Sequence, residues 1–246
     1  MTEEPGSGDR SQTVWLRPER SARGPAPEHS RAEIASAGVA LADAHGLGAV
    51  TMRSVAAAVG TAPASLYRYV TTRDELLELM VDQVNGELSF DELGSGQPVT
   101  DLLALARQVQ AVYRRHPWLL VIPPPGGLPG PNAVAYIEHA LAVLSDVDLS
   151  GPDKLELIGL FTGTIRSFAQ LEAEQRRIGR STAQWQDSVA GYLLQIAADG
   201  QHPHLAAALA DQPADLNPAP QDPLFDRAMT RILTSLLLLP SLGPKR

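Results

Sequence analysis

Residues 51–70, TMRSVAAAVGTAPASLYRYV, contain the feature that most restricts what this chain can fold into. Thr51 can cap a short helix, and Gly60 is suited to end it. Pro63 is placed as the first residue of a second, very short helix that ends near Tyr69. Two short helices joined by a glycine-containing turn are typical of the helix-turn-helix unit. The segment therefore predicts such a unit.

A capped helix is predicted on each side of this pair. Ser30 and Glu33 have the spacing of a capping box and open a helix over about residues 30–45. The sequence TRDE, which begins at residue 72, repeats that spacing and opens a longer helix. We therefore expect a three-helix domain over residues 29–75, from which a fourth helix continues into the rest of the chain.

Polar and aromatic side chains are concentrated on the second short helix. Leu66 and Val70 are four residues apart and can both face inward, which leaves their neighbours on the remaining surface. Such groups contact phosphates and base edges in protein–DNA complexes. The alternative is that the two tyrosines only pack against the flanking helices. Their position in a helix-turn-helix unit favours DNA contact.

The charge is divided unevenly along the chain. Residues 10–73 carry eight arginines against four acidic residues, a net charge of +4, and the remainder must carry −12 to reach the total of −8. A basic head on an acidic body suits a protein that meets a phosphate backbone with one end. The first 28 residues, rich in Gly, Pro, Ser and Arg, predict a flexible basic arm. Its arginines Arg17, Arg20 and Arg23 suit the minor groove of DNA, although many such termini remain disordered.

The stretch GLGAVTMRSVAAAVGTAPASLYRYVTTRDELLELMVDQV resembles the DNA-binding domain of the tetracycline-repressor (TetR) family. The later segments YRRHPWLL and GPNAVAYIEHALAVL are similar to the tetracycline-repressor-like C-terminal domain. The resemblance implies an all-α protein with a helix-turn-helix domain over residues 29–75 and a helical ligand-binding and dimerisation domain over residues 76–240. It also implies a homodimeric regulator, most often a repressor that a small apolar molecule releases from a palindromic operator. The lack of cysteine fits the reducing cytoplasm, where we expect the protein.

The same resemblance assigns roles within the DNA-binding unit. Arg53 matches an arginine that reads a base or a phosphate, and Ala64 and Ser65 fall where the recognition helix meets base edges. Tyr67, Tyr69 and Arg73 match positions that bind phosphates. The whole predicted DNA-contacting set is Thr51, Arg53, Ala64, Ser65, Tyr67, Arg68, Tyr69 and Arg73.

Beyond residue 90 the sequence predicts helices separated by loops rich in Gly, Pro and Asp. Expected helices span about 100–116, 117–122, 131–146, 152–178, 182–198 and 222–239, and the segment between the last two is expected to be a long loop. A ligand pocket is expected between the first helices of this domain and the long one. Its candidate lining residues are Tyr113, His116, Trp118, Tyr136, His139, Phe161, Ile165 and Phe168, although each singly is more common in a core.

Gly159 and Gly163 lie four residues apart on the longest predicted helix. Each costs about 0.8–1 kcal/mol of helix stability relative to alanine, which favours close approach of another helix. In the TetR family the penultimate long helix and the last helix form the dimer, so we expect the two glycines at the dimer interface. Packing inside one domain is the alternative.

Several functional classes lack their sequence signals. The chain has no cysteine, so disulfides, thiolate catalysis and cysteine-bound metals are excluded. It has no Walker, nucleophile-elbow, zincin or dinucleotide-binding motif, which argues against an enzyme, and we expect neither a metal nor a cofactor. The apolar run SLLLLPSL is too short to span a membrane. A DNA-binding dimer that responds to a protein partner, or to no small ligand, stays an alternative function.

Overall fold

A computed structural model describes residues 13–17, 28–122, 128–179, 182–210 and 224–238. In these residues the regular structure consists of α-helices and short 3₁₀ turns, with no strand, which confirms the all-α prediction. The helices are α1 (Arg31–His45), α2 (Met52–Ala58), α3 (Pro63–Leu66), α4 (Arg73–Asn85), α5 (Pro98–Arg115), α6 (Pro131–Val143), α7 (Gly151–Arg177), α8 (Thr182–Ala197), α9 (Pro203–Ala210) and α10 (Leu224–Leu238), with 3₁₀ turns at Leu47–Ala49 and Pro117–Leu120. None of the described helices is both long and apolar enough to cross a bilayer.

Helices α1 to α3 begin and end at the predicted signals. Ser30 and Glu33 form a capping box at the start of α1, and Thr51 accepts a hydrogen bond from the backbone N–H of Ser54 at the start of α2. Gly60 has φ +77°, a left-handed conformation that favours glycine, and it ends the first helix of the pair. Helix α3 has no side-chain cap and ends at Leu66, before the predicted Tyr69.

The first turn of α4 departs from the predicted capping box. Thr72 accepts a hydrogen bond from the backbone N–H of Glu75, as expected. The Glu75 carboxylate, however, accepts from the backbone N–H of Thr71 at 2.7 Å and from Arg17 at 2.6 Å. Partial burial opposes its ionisation, but these hydrogen bonds prevail and lower the pKa of Glu75. The Glu75 side chain thus connects the N-terminal segment, at Arg17, to the start of α4.

Helix α4 belongs to both halves of the molecule. Its first half packs along α1, where Met80 is fully buried and its side chain lies against the backbone of Gly38. Leu66 and Val70, predicted to face inward, are fully buried in the same core. Helix α4 then continues to α6 in the C-terminal half, with which it is also packed.

The C-terminal half is built around α7, which packs against α5, α6 and α10. Phe161 of α7 is fully buried, and Phe168 makes an edge-to-face contact with Phe225 of α10 at 5.5 Å. Helix α9 lies within a segment that we predicted as loop, and that prediction is wrong for residues 203–210. Pro203 opens this helix and a run of alanine and leucine continues it, which outweighs the polar residues before it.

Part of the predicted flexible arm is packed on the domain. Val14 is fully buried, and Arg31 of α1 donates to the backbone carbonyls of Val14 and Arg17 at 2.8 and 2.9 Å. Arg17 itself binds Glu75, so it is held by the protein rather than free to follow DNA. Arg20 and Arg23 lie outside the described residues.

Candidate DNA-reading surface and ligand cavity

The second helix of the helix-turn-helix unit presents a set of side chains to solvent. Tyr67 is 51% exposed, and Arg68 and Ala64 are exposed beside it, while Ser65 is half-buried. Arg53, near the start of α2, is also exposed, as is its neighbour Thr51. Among the described residues, the guanidinium groups of Arg53 and Arg68 make no hydrogen bond or ion pair. This surface can therefore supply cations and polar groups to a phosphate backbone and to base edges.

Tyr69 and Arg73, predicted to bind phosphates, both make contacts within the unit, and their contact with DNA stays a prediction. Tyr69 is only 8% exposed, and its hydroxyl accepts a hydrogen bond from the backbone N–H of His29 at 3.3 Å. Arg73 donates to the carbonyls of Val50 and Leu47 at 3.1 and 3.2 Å, which fixes the entry to α2. The sequence left open that the tyrosines pack against the flanking helices, and Tyr69 does so, because the turn after α3 directs its ring inward.

A cavity of about 530 Å³ lies between α4, α5, α6 and α7. Most of its walls are aliphatic or aromatic, and its volume is within the range of sites for small organic molecules. The lining residues are Val81, Asn85, Leu88, Val109, Val112, Tyr113, Leu119, Ile122, Ala133, Tyr136, Ile137, Leu155, Ile158, Gly159, Thr162, Gly163 and Arg166.

Two of the predicted pocket residues, Tyr113 and Tyr136, line this cavity. The others are placed elsewhere by packing. Phe161, Ile165 and Phe168 are on the face of α7 that is packed in the core or against α10, and His139 stacks on Phe90 at 4.0 Å. His116 and Trp118 lie at the junction with α1, described below.

Polar groups are few in the cavity. Besides Asn85 and the Tyr113 hydroxyl, they form two hydrogen-bonded groups. Thr162 donates to the carbonyl of Ile158, so the Tyr136 hydroxyl must donate in its 2.9 Å hydrogen bond to Thr162. Burial raises the pKa of Tyr136 to about 12, which keeps this phenol neutral. The second group is the guanidinium of Arg166, which donates to the carbonyls of Leu119, Leu120 and Ile122 at 3.3, 3.2 and 2.7 Å.

Gly159 and Gly163 also lie in the cavity wall. A Cβ atom built at either position would have no heavy atom within 4 Å. In this structure the missing side chains therefore widen the cavity on the α7 side. The expected contact with a second copy of the chain at these glycines stays untested, and their place in the cavity wall is the alternative to it.

Comparison with known proteins agrees with this geometry. Residues 34–80 match the family model for bacterial regulatory proteins of the tetR family, and residues 91–236 match the model for the tetracycline repressor-like C-terminal domain. The second match alone spans more than half of the chain. The chain belongs to the TetR family. It is therefore a ligand-responsive DNA-binding transcriptional regulator and not an enzyme.

Individual TetR-family relatives support this assignment. The HTH-type transcriptional repressor DrrR1 of Streptomyces coeruleorubidus is 36% identical over 218 residues, which cover 85% of this chain and 81% of the relative. An HTH-type transcriptional regulator of Saccharopolyspora erythraea is 32% identical over 142 residues, 58% of this chain and 60% of the relative. The crystal structure of the Streptomyces coelicolor TetR-family protein ActR in complex with actinorhodin is 25% identical, with a TM-score of 0.68 over 85% of this chain and 96% of that one.

Asp82 joins α4 to α6 in this TetR-family chain. The carboxylate is buried, and it accepts hydrogen bonds from the backbone N–H groups of Asn132 and Ala133 at 3.3 and 3.0 Å. The Asn132 side chain returns a hydrogen bond to the Asp82 carbonyl at 2.9 Å. A charged cap of this kind stabilises the N-terminus of α6, which carries part of the cavity wall. Asp82 does not belong to the predicted site residues. An acidic residue among the apolar positions of α4 does, however, indicate a buried carboxylate that needs a partner.

A second junction connects the 3₁₀ turn Pro117–Leu120 to α1. His116 is buried between two carboxylates, with Nδ1 2.8 Å from Asp43 and Nε2 3.0 Å from Glu87. Trp118 donates its indole N–H to the same Asp43 oxygen at 2.7 Å. Because Arg166 holds the carbonyls at the end of this turn, the cavity wall and α1 are connected through one short segment. Nothing in the spacing of Asp43, Glu87 and His116 along the sequence indicates this contact.

Proposed function

We propose that this regulator is a homodimeric repressor that a small, mostly apolar molecule releases from a palindromic operator in the cytoplasm. The cavity supports this proposal, since it is large enough for such a molecule and mostly apolar. Two relatives agree with it, because DrrR1 is named a repressor and ActR has been crystallised with actinorhodin.

The observation that carries the proposal is the position of α4. The N-terminal half of α4 packs in the DNA-binding unit through Leu76 and Met80, which are fully buried. The C-terminal half contributes Val81 and Asn85 to the cavity and holds α6 through Asp82. A ligand in the cavity thus contacts the same helix that positions the DNA-reading surface.

A population shift can couple the two ends of α4. A ligand that fits best when α4 and α6 are displaced favours that conformer over the one that binds DNA. In a dimer the two recognition helices must match two adjacent major grooves, so a small displacement of each α4 changes their separation. The ligand then lowers operator affinity without touching DNA.

Helix α8 supports the dimer. Among its described side chains none is buried, and Trp185, Val189, Tyr192, Leu193 and Ile196 form an apolar stripe at helical spacing. Tyr192 is 62% exposed, and Leu238 at the end of α10 is 78% exposed. The other four residues of the stripe are half-buried. Apolar surface that stays partly open in this way favours a protein–protein contact, and here the occupant we propose is α8 of a second copy together with α10.

The test begins with selection of an operator from a pool of random DNA duplexes by the purified full-length protein. We expect a palindromic site, bound by one dimer. Mobility-shift titration with a panel of flat aromatic compounds should then identify members that bind the protein and release the DNA. Recovery of no specific duplex would contradict the DNA-reading surface. Release by a protein fraction but by no small compound would support a protein partner instead and overturn the effector proposal.

A further inference from the structure

Arg166 is the one charged side chain that lines the cavity in the part of the chain that the structure describes. The rest of the described wall is apolar apart from an amide and hydroxyl groups, and no acidic side chain belongs to it. Arg166 forms no ion pair with any described residue, since its three hydrogen bonds are to backbone carbonyls. The cavity therefore has a positive charge that no carboxylate of the described residues balances.

The guanidinium group also keeps hydrogen-bonding capacity. Arginine has five N–H groups, and the bonds to Leu119, Leu120 and Ile122 use one group on Nη1 and both on Nη2. The Nε–H group and one Nη1–H group have no partner among the described residues. A carboxylate is the usual partner of such donors, and charge-assisted hydrogen bonds of this type are roughly twice as strong as neutral ones.

The other walls fit an aromatic body. Tyr113 and Tyr136 both line the cavity, and Gly159 and Gly163 leave open space at the α7 wall, because a Cβ atom at either position would meet no heavy atom within 4 Å. Tyr136 already donates its hydroxyl proton to Thr162, so it contributes only an acceptor to a ligand. A molecule that is apolar over most of its surface and acidic at one end satisfies both parts of the cavity.

We propose that the effector class of this regulator is an aromatic organic acid whose carboxylate binds Arg166. This inference rests on the proposed ligand-released function and specifies the chemistry of its ligand. The contact also involves the segment that Arg166 holds, because a ligand carboxylate attracts the same guanidinium group that binds the carbonyls of residues 119–122. The acid thereby acts on the turn that carries Trp118 to Asp43.

Matched acid and amide probes test the inference. The panel consists of the carboxylic acids and primary carboxamides of naphthalene, anthracene and anthraquinone, titrated calorimetrically into the full-length protein near neutral pH, where the acids are ionised. We expect at least one acid to bind at least about tenfold more tightly than its amide. Arg166→Gln should reduce that ratio to about one, whereas Arg166→Lys, which keeps the charge, should retain part of it.

Tyr113→Phe serves as the matched control, because it removes a polar group from the same cavity and leaves the charge, so the acid-to-amide ratio should not change. Binding of the amides by Arg166→Gln shows that the cavity is intact in that variant, and the wild-type ratio is informative even if the variant fails to fold.

No binding by any acid, a wild-type ratio near one, or a ratio that survives in Arg166→Gln would overturn the inference. Operator release by neutral probes without a preference for acids would overturn the inference and leave the proposed function in place. Acids that bind tightly through Arg166 without releasing DNA would keep the Arg166 contact but contradict the proposed function, and with it the effector role of the acid.

Discussion

Two arginines of the DNA-binding unit show how the same side chain takes different roles. The Arg53 guanidinium is exposed, with no hydrogen bond to the described residues, and it is free to meet DNA. Arg73 is also exposed at the surface, but its guanidinium donates to the Val50 and Leu47 carbonyls. The structure thus separates a candidate DNA contact from a residue that fixes the shape of the unit.

We predict that Arg53→Ala weakens operator binding by about 1–3 kcal/mol and leaves thermal unfolding unchanged, because only an intermolecular contact is lost. Arg73→Ala is the matched variant, and it should also lower the unfolding temperature, since two backbone carbonyls lose a charged donor. Fluorescence anisotropy with the selected operator and thermal denaturation provide the two measurements. An Arg53→Ala protein that binds the operator as tightly as the wild type would remove Arg53 from the DNA-reading surface.

Tyr67 and Tyr69 show what the sequence could and could not predict at the level of one residue. Both were predicted on the DNA-facing side, and only Tyr67 is exposed there. The spacing of Leu66, Tyr69 and Val70 is i, i+3, i+4, which places three side chains on one helical face. That pattern was a sufficient signal for the burial of Tyr69, whereas the resemblance to other recognition helices indicated the opposite.

Glu87 makes the junction between the two halves sensitive to acid. Partial burial opposes its ionisation, but hydrogen bonds from Arg115 and His116 prevail and lower its pKa from the usual value of 4.5. A carboxyl whose pKa is lower in the folded state stabilises the fold fully above pH 4.5. The contribution is lost as the pH falls from 4.5 through the lowered value, because the unfolded chain takes up its proton first.

We therefore expect the unfolding temperature of the wild type to fall more steeply between about pH 5 and 3 than that of Glu87→Gln. Glu174→Gln is the control, because its carboxylate only pairs with Arg177 on an exposed part of α7, and such surface pairs contribute little. Thermal unfolding over this pH range measures the slopes. Parallel curves for wild type and Glu87→Gln would show that the Glu87 contacts do not contribute to stability.

Among the elements, capping and stop signals predicted where most helices begin and end. The sequence did not predict which face of each helix meets the core, the cavity or another chain. Helix α7 has small or apolar residues on two faces, with Phe161 and Ile165 in the core and Gly159 and Gly163 at the cavity. Periodicity alone does not say which apolar face meets a core, a cavity or a second chain. Helix α9 was missed for a different reason, since a helix of eight residues inside a polar segment gives a weak pattern.

Helix α8 is the element on which the dimer can be tested. We predict that Tyr192→Asp reduces the dimer population, because it places an unpaired charge in the proposed apolar interface. Thr100→Asp, at an exposed polar position of α5, is the control and should not change the assembly. Light scattering after size exclusion should give twice the chain mass of 26.3 kDa for wild type and control. A Tyr192→Asp protein that stays fully dimeric at micromolar concentration would place the interface elsewhere.

At the scale of the whole molecule, the DNA-reading surface and the cavity are connected at two separate places. One is Asp82, which joins α4 to the start of α6, and the other is the contact of His116 and Trp118 with Asp43 of α1. The sequence predicted the first connection, because the helix that Thr72 caps, directly after the recognition helix, continues into the C-terminal half. The second junction depends on residues more than 70 positions apart and could not be found without the fold.

In the proposed function, occupancy of the cavity controls release from DNA, and substitution of Gly159 and Gly163 tests this control. Leucine at both positions fills space in the cavity, since a Cβ atom there meets no other group. It should not weaken α7, because glycine is the poorer helix former. Gly151→Leu, at the exposed start of the same helix, is the matched control. The measurement is operator release in mobility-shift titrations with the compound that releases the wild type, together with the oligomeric state of each variant.

We predict that the Gly159→Leu/Gly163→Leu protein is dimeric and binds the operator as the wild type does, but is no longer released by that compound. The control should be released normally. A double variant that is still released would show that the compound acts outside the cavity. A double variant that becomes monomeric and loses operator binding would instead place these glycines at the dimer interface and contradict their role in the cavity wall.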